Sequence, residues 1–186
     1  MNLDYSVVGE VKITMIPYIQ EIVTSFKAHD SSDKGALTPA SENLFKVNLD
    51  AEPLKEQQAA IFHNFVARSL YLTKRARPNI ATAVAFLTTR VKGPDVDDWN
   101  KLLCLIRYLK GTMDLPLTIC PSDMSVLRWY VDGSHASHGD CHGQTGGCLT
   151  LGNGTPITTS TKQKLNTQSS TESELVAADD VTPTIL

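Results

Sequence analysis

The sequence predicts a mixed α+β or α/β protein with an N-terminal β-hairpin, a helical middle segment and a C-terminal mixed sheet that carries one helix. Three observations lead to this fold class. Two short strand-like segments flank a glycine near the N-terminus. Apolar residues recur at three- and four-residue steps between residues 57 and 111, as in helices, and their spacing becomes that of strands after Gly111. With 186 residues, 41% of them hydrophobic, the composition is that of a globular protein with one domain or two small ones.

The N-terminal segment is predicted to form a hairpin and then a helix. Residues 3–8 and 10–16 have strand character, with Gly9 between them as the turn residue. Pro17 opens a helix, because proline is favoured in the first helical turn. Residues 28–57 are rich in Ser, Asp, Pro and Ala without periodicity, which predicts a linker.

Three helices are predicted for the middle of the chain, over residues 57–75, from Pro78, and from Pro94 to Gly111. Each has an apolar stripe at helical spacing, and we expect these stripes to form the core. The stripe residues are Ile61, Phe62, Phe65, Val66, Leu70, Ile80, Val84, Leu87, Trp99, Leu102, Leu103, Ile106 and Leu109.

After Gly111, strands are predicted at residues 115–119, 126–131, 147–151 and 156–160, with a turn at 152–154. A helix follows, beginning near Ser169 or Ser170, where hydroxyl groups and acids suit the positive end of a helix dipole.

The charge is unevenly distributed along the chain. Residues 61–111 carry nine basic and three acidic side chains, whereas acids outnumber bases on both sides of this segment. The net charge of −3 argues against a freestanding nucleic-acid binder, but this middle segment is where a phosphate backbone would be held. The candidate contacts are Lys74, Arg75 and Arg77; the alternative is an ordinary solvated helical face.

We expect no secretory signal, because Met1 is followed by Asn-Leu-Asp rather than by a basic stretch and an apolar core, and no apolar run is long enough to cross a bilayer. Four cysteines without such a signal favour a reducing compartment and free thiols. We therefore expect an intracellular protein that is not secreted.

Two acidic motifs are the candidates for chemistry. Residues 130–134 (YVDGS) end an apolar strand in Asp132, and residues 169–175 (SSTESEL) place Glu174 at a helix start. A carboxylate on a strand and another on a helix packed across it can converge on one point, where a hard divalent cation such as Mg²⁺ would neutralise their repulsion. Paired metal ions of this kind can activate water for phosphodiester cleavage.

Together these motifs resemble the Pol polyprotein of copia-type retrotransposons, at the end of its reverse transcriptase and the start of its ribonuclease H domain. Residues 130–134 resemble the first-strand motif of ribonuclease H, and residues 169–175 resemble its Ser-Ser-Thr-Glu-x-Glu segment. Other matching segments are 146–152 (GGCLTLG) and 159–165 (TSTKQKL) in the nuclease, and 69–80 (SLYLTKRARPNI) and 107–112 (RYLKGT) in the region between polymerase and nuclease.

The resemblance implies four regions along the chain. These are the end of the reverse transcriptase palm or thumb at 1–27, the linker at 28–57, a helical connection segment at 58–125, and an incomplete ribonuclease H-like domain at 126–186. In intact form such a protein would carry out RNA-directed DNA synthesis and Mg²⁺-dependent hydrolysis of RNA in RNA–DNA hybrids. Its partners would be the hybrid or another nucleic acid and the rest of the polyprotein, in a cytoplasmic particle or the nucleus, without a membrane.

Carried over by position, Asp132 and Glu174 match the family's metal-binding Asp and helix Glu, with Mg²⁺ as the expected cofactor. Glu172 lies about 200° round the helix from Glu174 and is expected to be a first-turn acid. The third carboxylate of the nuclease is expected beyond Leu186 and the polymerase aspartates upstream of Met1, so we expect no catalysis by this chain alone. Asp97 and Asp98 are interpreted as a helix cap.

Two further hypotheses remain. The first is a non-catalytic connection module that binds nucleic acid or packs against a polymerase. The second is a zinc-stabilised domain, because five possible ligands fall within fourteen positions, although their spacing matches no standard zinc finger. These residues are His135, His138, Cys141, His142 and Cys148.

Overall fold

A computed structural model describes residues 1–30 and 34–185. The chain divides into two compact units. Unit 1 contains Met1–Leu3 and Ile13–Pro116, and unit 2 contains Asp4–Lys12 and the residues from Leu117 onward. The mixed α+β fold that the sequence predicts is confirmed, with five α-helices and two antiparallel sheets in the described residues.

The described residues of unit 1 form four α-helices around an apolar core. They are α1 (Ile16–Phe26), α2 (Glu56–Thr73), α3 (Ala81–Arg90) and α4 (Val96–Gly111), with 3-10 turns at Lys27–His29 and Pro78–Ile80. The predicted starts and ends of these helices are confirmed to within a few residues. The core takes its side chains from the predicted stripes, except that Leu70 is 40% exposed and α2 buries Ser69, Leu72 and Thr73 instead.

The start of α4 is fixed by a reciprocal cap and a shared arginine. The Asp95 side chain accepts a hydrogen bond from the Asp98 amide, and Asp98 accepts one from the Asp95 amide. Arg90 then bridges the two carboxylates, at 3.1 Å from Asp95 and 2.9 Å from Asp98. Asp98 is therefore a capping residue, as the sequence predicts, and Asp97 lies in the first turn.

The segment that the sequence predicts as a linker is anchored to unit 1 at several points. Leu44 is buried, and the Lys101 ammonium donates to the Lys46 carbonyl. The Leu54 amide donates to the Pro94 carbonyl at 2.9 Å. These contacts tie residues 44–54 to the beginning of α4.

In the part of the chain that the structure describes, seven strands form two sheets. The first sheet has the order β1-β2-β3-β6, with strands β1 (Asn2–Asp4), β2 (Val11–Thr14), β3 (Leu117–Pro121) and β6 (Gly152–Asn153). The second sheet has the order β4-β5-β7, with strands β4 (Arg128–Ser134), β5 (Gln144–Thr150) and β7 (Ile157–Lys162). The N-terminal hairpin is confirmed with shorter strands than predicted, and Gly9 has a φ of +80° in its turn. Helix α5 (Ser170–Ile185) follows the second sheet, where the sequence predicts it.

Candidate metal and nucleic-acid sites

Helix α5 packs across one face of the second sheet, mainly over β4. Its buried residues, Ser173, Ala177 and Val181, recur every four positions and so lie on one side of the helix. The strand residue beneath this side is Gly133, where a Cβ atom would come within 2.4 Å of the Ser173 carbonyl oxygen. The glycine after Asp132 therefore lets the helix backbone approach the strand closely.

This close approach brings Glu174 to β4. The backbone amide of Gly133 donates a hydrogen bond to Oε2 of Glu174 at 3.0 Å. Because the Cα atom of a preceding residue lies about 2.4 Å from an amide nitrogen, Oε2 is no more than about 5.5 Å from the Cα atom of Asp132. The two acids that the sequence singles out are brought to the same end of β4.

The Asp132 side chain is solvent-exposed. Side chains alternate along a strand, so Asp132 leaves β4 on the face opposite to that of Gly133, which faces α5. Among the described residues, its carboxylate has no ion-pair or hydrogen-bond partner. The two residues suit a cation by the type of ligand they supply. Carboxylates are hard oxygen ligands, and Mg²⁺ commonly binds proteins through one or two carboxylates, with water molecules completing its coordination shell.

The other acids of α5 have local roles. Glu172 lies in the first turn, where its Oε2 accepts from the Gln168 amide at 2.6 Å and its own amide donates to the Ser169 hydroxyl at 3.2 Å. Asp180 accepts a hydrogen bond from the Thr145 hydroxyl at 2.8 Å, across the interface with β5. Glu172 is thus the first-turn acid that the sequence predicts.

A cluster of hydroxyl groups around His135 was not found from the sequence. His135 Nδ1 lies 3.1 Å from the Thr167 hydroxyl and 3.3 Å from the Ser173 hydroxyl, and these hydroxyls are 2.6 Å apart. Because His135 follows β4 and Ser173 precedes Glu174, this cluster ties the end of the strand to the helix turn that carries the acid. No periodic pattern in the sequence signals this contact.

The histidines and cysteines after β4 do not gather into a metal site in the described residues, where no group of three or more His, Cys, Asp or Glu side chains is arranged to hold an ion. His138 is buried and bonds through Nε2 to the Gln144 amide oxygen at 2.8 Å. Burial lowers the pKa of His138, against the opposing effect of this hydrogen bond. Lys162 forms an ion pair with Asp140 and lowers the pKa of that carboxyl to about 2.

The three basic residues of the predicted nucleic-acid contact lie in different environments. Lys74 and Arg75 are exposed at the end of α2. Arg77 is only 1% exposed, and its guanidinium donates to the Thr112 carbonyl at 2.7 Å, the Thr112 hydroxyl at 2.6 Å and the Asn79 amide oxygen at 3.1 Å. Burial lowers the pKa of Arg77. Its donors are taken up by Thr112 and Asn79 within the protein, so the structure does not present Arg77 to a phosphate.

An aromatic residue accompanies the exposed pair. The Arg75 guanidinium lies 5.4 Å from the centre of the Tyr71 ring, which is 49% exposed, and the Tyr71 ring makes an edge contact with Tyr18 at 5.5 Å. Aromatic rings beside arginines are suited to stacking on bases and holding phosphates. Tyr71 was missed as a candidate because its position beside a helix stripe gives no sign of exposure.

Within residues 1–30 and 34–185, none of the helices combines the length and the apolar content needed to cross a bilayer.

Comparison with known proteins connects the chain to transposons. It is 24% identical over 182 residues to the transposon Ty5-1 protein of Saccharomyces cerevisiae, covering 97% of this chain and 58% of that protein. It is 33% identical over 110 residues to the retrovirus-related Pol polyprotein from transposon RE2 of Arabidopsis thaliana, covering 59% of this chain and 8% of the polyprotein. The chain thus spans about half of one relative and a small part of the other.

A third relative has a different name. The secreted RxLR effector protein 161 of Plasmopara viticola is 30% identical over 118 residues, which cover 63% of this chain and 83% of that protein. No protein-family profile matches the chain, and no solved structure matches it. Two of these three relatives are transposon proteins. The homologues of the chain thus include retrotransposon Pol polyproteins, to parts of which it is similar.

Proposed function

We propose that this chain is the part of a copia-type Pol polyprotein that joins the end of the reverse transcriptase to the start of ribonuclease H. In the intact protein, the activity would be synthesis of DNA on RNA and Mg²⁺-dependent hydrolysis of RNA in the hybrid. The observation that carries the nuclease half is the 3.0 Å hydrogen bond between the Gly133 amide and Glu174, which holds a helix acid at the end of β4 that carries Asp132.

Asp132 and Glu174 would hold the Mg²⁺ ion, which when bound would supply positive charge for the cleavage of a phosphodiester. The protein's own contribution would be to orient the two carboxylates toward the ion. The Gly133 amide occupies one oxygen of Glu174 and leaves the other to a cation, while the exposed Asp132 carboxylate is accessible from solvent. In the part of the chain that the structure describes, no group of three or more His, Cys, Asp or Glu side chains is arranged to hold a metal ion. We therefore propose metal binding by the chain and no cleavage by it alone.

Metal binding can be tested with Mn²⁺ as a paramagnetic probe for the Mg²⁺ site. Broadening of the backbone NMR signals of residues 131–134 and 172–175 is expected at low Mn²⁺, and both Asp132→Asn and Glu174→Gln should remove it. Asp179→Asn is the matched control, because Asp179 is an exposed acid of the same helix. Unchanged broadening in both site variants would exclude the proposed site.

A second function, binding of nucleic acid without catalysis, is favoured by the exposed patch formed by Tyr71, Lys74 and Arg75. Fluorescence anisotropy with a labelled RNA–DNA hybrid should show binding that weakens steeply with salt. The double reversal Lys74→Glu and Arg75→Glu should weaken binding at least about tenfold, and the salt slope should decrease by roughly one per lost phosphate contact. Equal binding by this variant and the wild type would exclude the patch.

Localisation inside the cell is also proposed. All four cysteines lie in the described part of the chain as free thiols, which suits a reducing compartment. One relative is named a secreted effector, so fractionation of cells that express the tagged chain is the direct test. Recovery of the protein from the medium would contradict this proposal.

A further inference from the structure

Gln163 is a buried polar residue that directly follows β7 and connects the second sheet to helix α5. The residue is 1% exposed, and its backbone amide donates to the Gly143 carbonyl at 2.9 Å, which fixes it beside the start of β5. Its side-chain nitrogen Nε2 donates to the Ser173 carbonyl at 2.9 Å and to the Thr145 hydroxyl at 3.2 Å. Gln163 therefore joins β5 to the first turn of α5.

The orientation of the Gln163 side-chain amide follows from its partner. A carbonyl oxygen only accepts hydrogen bonds, so the group that faces the Ser173 carbonyl must be the nitrogen. This orientation places the amide oxygen Oε1 against Gly143, where a Cβ atom would overlap it. Among the residues that the structure describes, the buried Oε1 has no hydrogen-bond partner. Burying a polar atom without a partner lowers stability, so stability alone does not account for a glutamine at this position.

The carbonyl that Gln163 holds lies where α5 packs against β4. A Cβ atom on Gly133 would overlap the Ser173 carbonyl oxygen. The next residue of the helix is Glu174, whose Oε2 accepts from the Gly133 amide at 3.0 Å. Because the carbonyl of Ser173 and the amide nitrogen of Glu174 belong to one planar peptide group, a hydrogen bond to that carbonyl also restrains the backbone of Glu174.

We propose that Gln163 is a positioning residue for the candidate metal site. Its amide holds the peptide group between Ser173 and Glu174, and so fixes the turn of α5 from which Glu174 reaches the end of β4. The position of this turn sets the direction in which the second oxygen of Glu174 is presented to a cation. This inference rests on the proposed metal binding by Asp132 and Glu174.

A second side chain contacts the same helix residue in a different way. His135 Nδ1 lies 3.3 Å from the Ser173 hydroxyl, which also donates to the Ser169 carbonyl at 3.2 Å. A hydroxyl group can rotate about the Cα–Cβ bond, whereas a carbonyl is fixed in the plane of its peptide group. Gln163 is therefore the contact that acts on the backbone of this turn.

The first test is Gln163→Met, which keeps the length of the side chain and removes the donor to Ser173. Without metal, the NMR signal of the Gly133 amide should shift and its hydrogen exchange should become at least about tenfold faster, because the bond to Glu174 loosens. The Mn²⁺ affinity should decrease at least about tenfold while the midpoint of urea unfolding changes little. Thr145→Val, which removes the other acceptor of Nε2, is the control and should keep the wild-type Gly133 signal and Mn²⁺ affinity.

Gln163→Glu tests the donor itself. When protonated, the introduced carboxyl can donate to the Ser173 carbonyl as the amide does; when ionised, it repels that oxygen. The Gly133 amide shift should therefore match wild type at low pH and depart from it as the pH rises. Burial should place this transition above the ordinary pKa of a glutamate. Wild type at the same pH values is the control, because it also contains His135 and Glu174.

The outcomes separate this inference from the metal site on which it rests. A Gly133 amide with the same shift and exchange rate in wild type and Gln163→Met would overturn the positioning role. So would a Gly133 shift in Gln163→Glu that follows the wild type at every pH. A wild-type chain that binds no Mn²⁺ would disprove the metal site, and the measurements without metal would still decide whether Gln163 positions Glu174.

Discussion

The amide of Gly133 and the carboxylate of Glu174 are joined by a hydrogen bond of 3.0 Å, although 41 residues separate them in the chain. The bond forms because Gly133 has no side chain to hold α5 away from β4, while Ser173 and Ala177 present small groups on the facing side of the helix. The same residue pair therefore supports the packing of unit 2 and the orientation of a proposed metal ligand.

Gly133→Ala should destabilise unit 2 by about 1–3 kcal/mol, because the new methyl group would overlap the Ser173 carbonyl and force α5 outward. Gly146→Ala is the matched control on the neighbouring strand, where the nearest atom to a new Cβ is 3.8 Å away. That variant should be neutral to within about 0.5 kcal/mol. Urea unfolding followed by Trp129 fluorescence in a Trp99→Phe background measures both, and equal stability of the two variants would contradict the close-packing argument.

Glu174→Gln should weaken metal binding while leaving the stability of unit 2 nearly unchanged. The amide oxygen of the introduced glutamine can still accept from Gly133, so we expect a loss of stability below about 0.5 kcal/mol. Glu174→Ala removes the acceptor and should cost about 1–2 kcal/mol. Both variants should lower the Mn²⁺ affinity at least about tenfold, measured by titration calorimetry. An unchanged affinity in Glu174→Gln would remove Glu174 from the metal site without affecting its structural role.

Arg77→Met should destabilise unit 1 by about 2–4 kcal/mol, because it removes the buried guanidinium that donates to the partly buried Thr112 carbonyl and hydroxyl. Arg75→Met should change stability by less than about 1 kcal/mol, since it removes an exposed contact with Tyr71. Binding to the RNA–DNA hybrid should respond in the opposite way. Arg75→Met should weaken it, whereas Arg77→Met should bind as the wild type does at a temperature where the variant is folded. Thermal unfolding measures the stability of each variant, and fluorescence anisotropy measures its binding to the hybrid. An Arg77→Met variant that is stable but binds the hybrid poorly would show that Arg77 contacts nucleic acid.

Arg77 also shows what charge patterning cannot predict. Its neighbours Lys74 and Arg75 have the same sign and lie within three positions, yet they are exposed and Arg77 is buried. The difference arises from Thr112, 35 residues away, whose carbonyl and hydroxyl accept from the guanidinium. Sequence periodicity carries no information on such a distant polar partner.

The helices and most strands were predictable because each has a local signal, whether an apolar stripe, a cap or an alternating run. Leu70 was misassigned because a stripe drifts round a long helix, and by the end of α2 the inward positions are Ser69, Leu72 and Thr73. The turn at 152–154 was predicted, but its pairing with β3 was not. Gly152 lies opposite Pro121 there, and this contact depends on the tertiary fold.

The buried imidazole of His138 should make the stability of unit 2 depend on pH. Its pKa in the folded protein is lowered by burial from the ordinary value of 6.5, so the unfolded chain takes up a proton first as the pH falls. The stabilisation is therefore fully present above about pH 6.5 and is lost as the pH decreases towards the folded pKa, with a slope of at most about 1.4 kcal/mol per pH unit.

His138→Gln should flatten this dependence, because glutamine does not titrate and can still bond to Gln144. Urea unfolding between about pH 7.5 and 5 measures it. The Trp99→Phe background leaves Trp129 as the only tryptophan, so that the fluorescence reports unit 2 alone. His63→Gln, at an exposed position of α2, should keep the wild-type slope. If His138→Gln loses as much stability on acidification as wild type does, groups other than His138 control the acid response of unit 2.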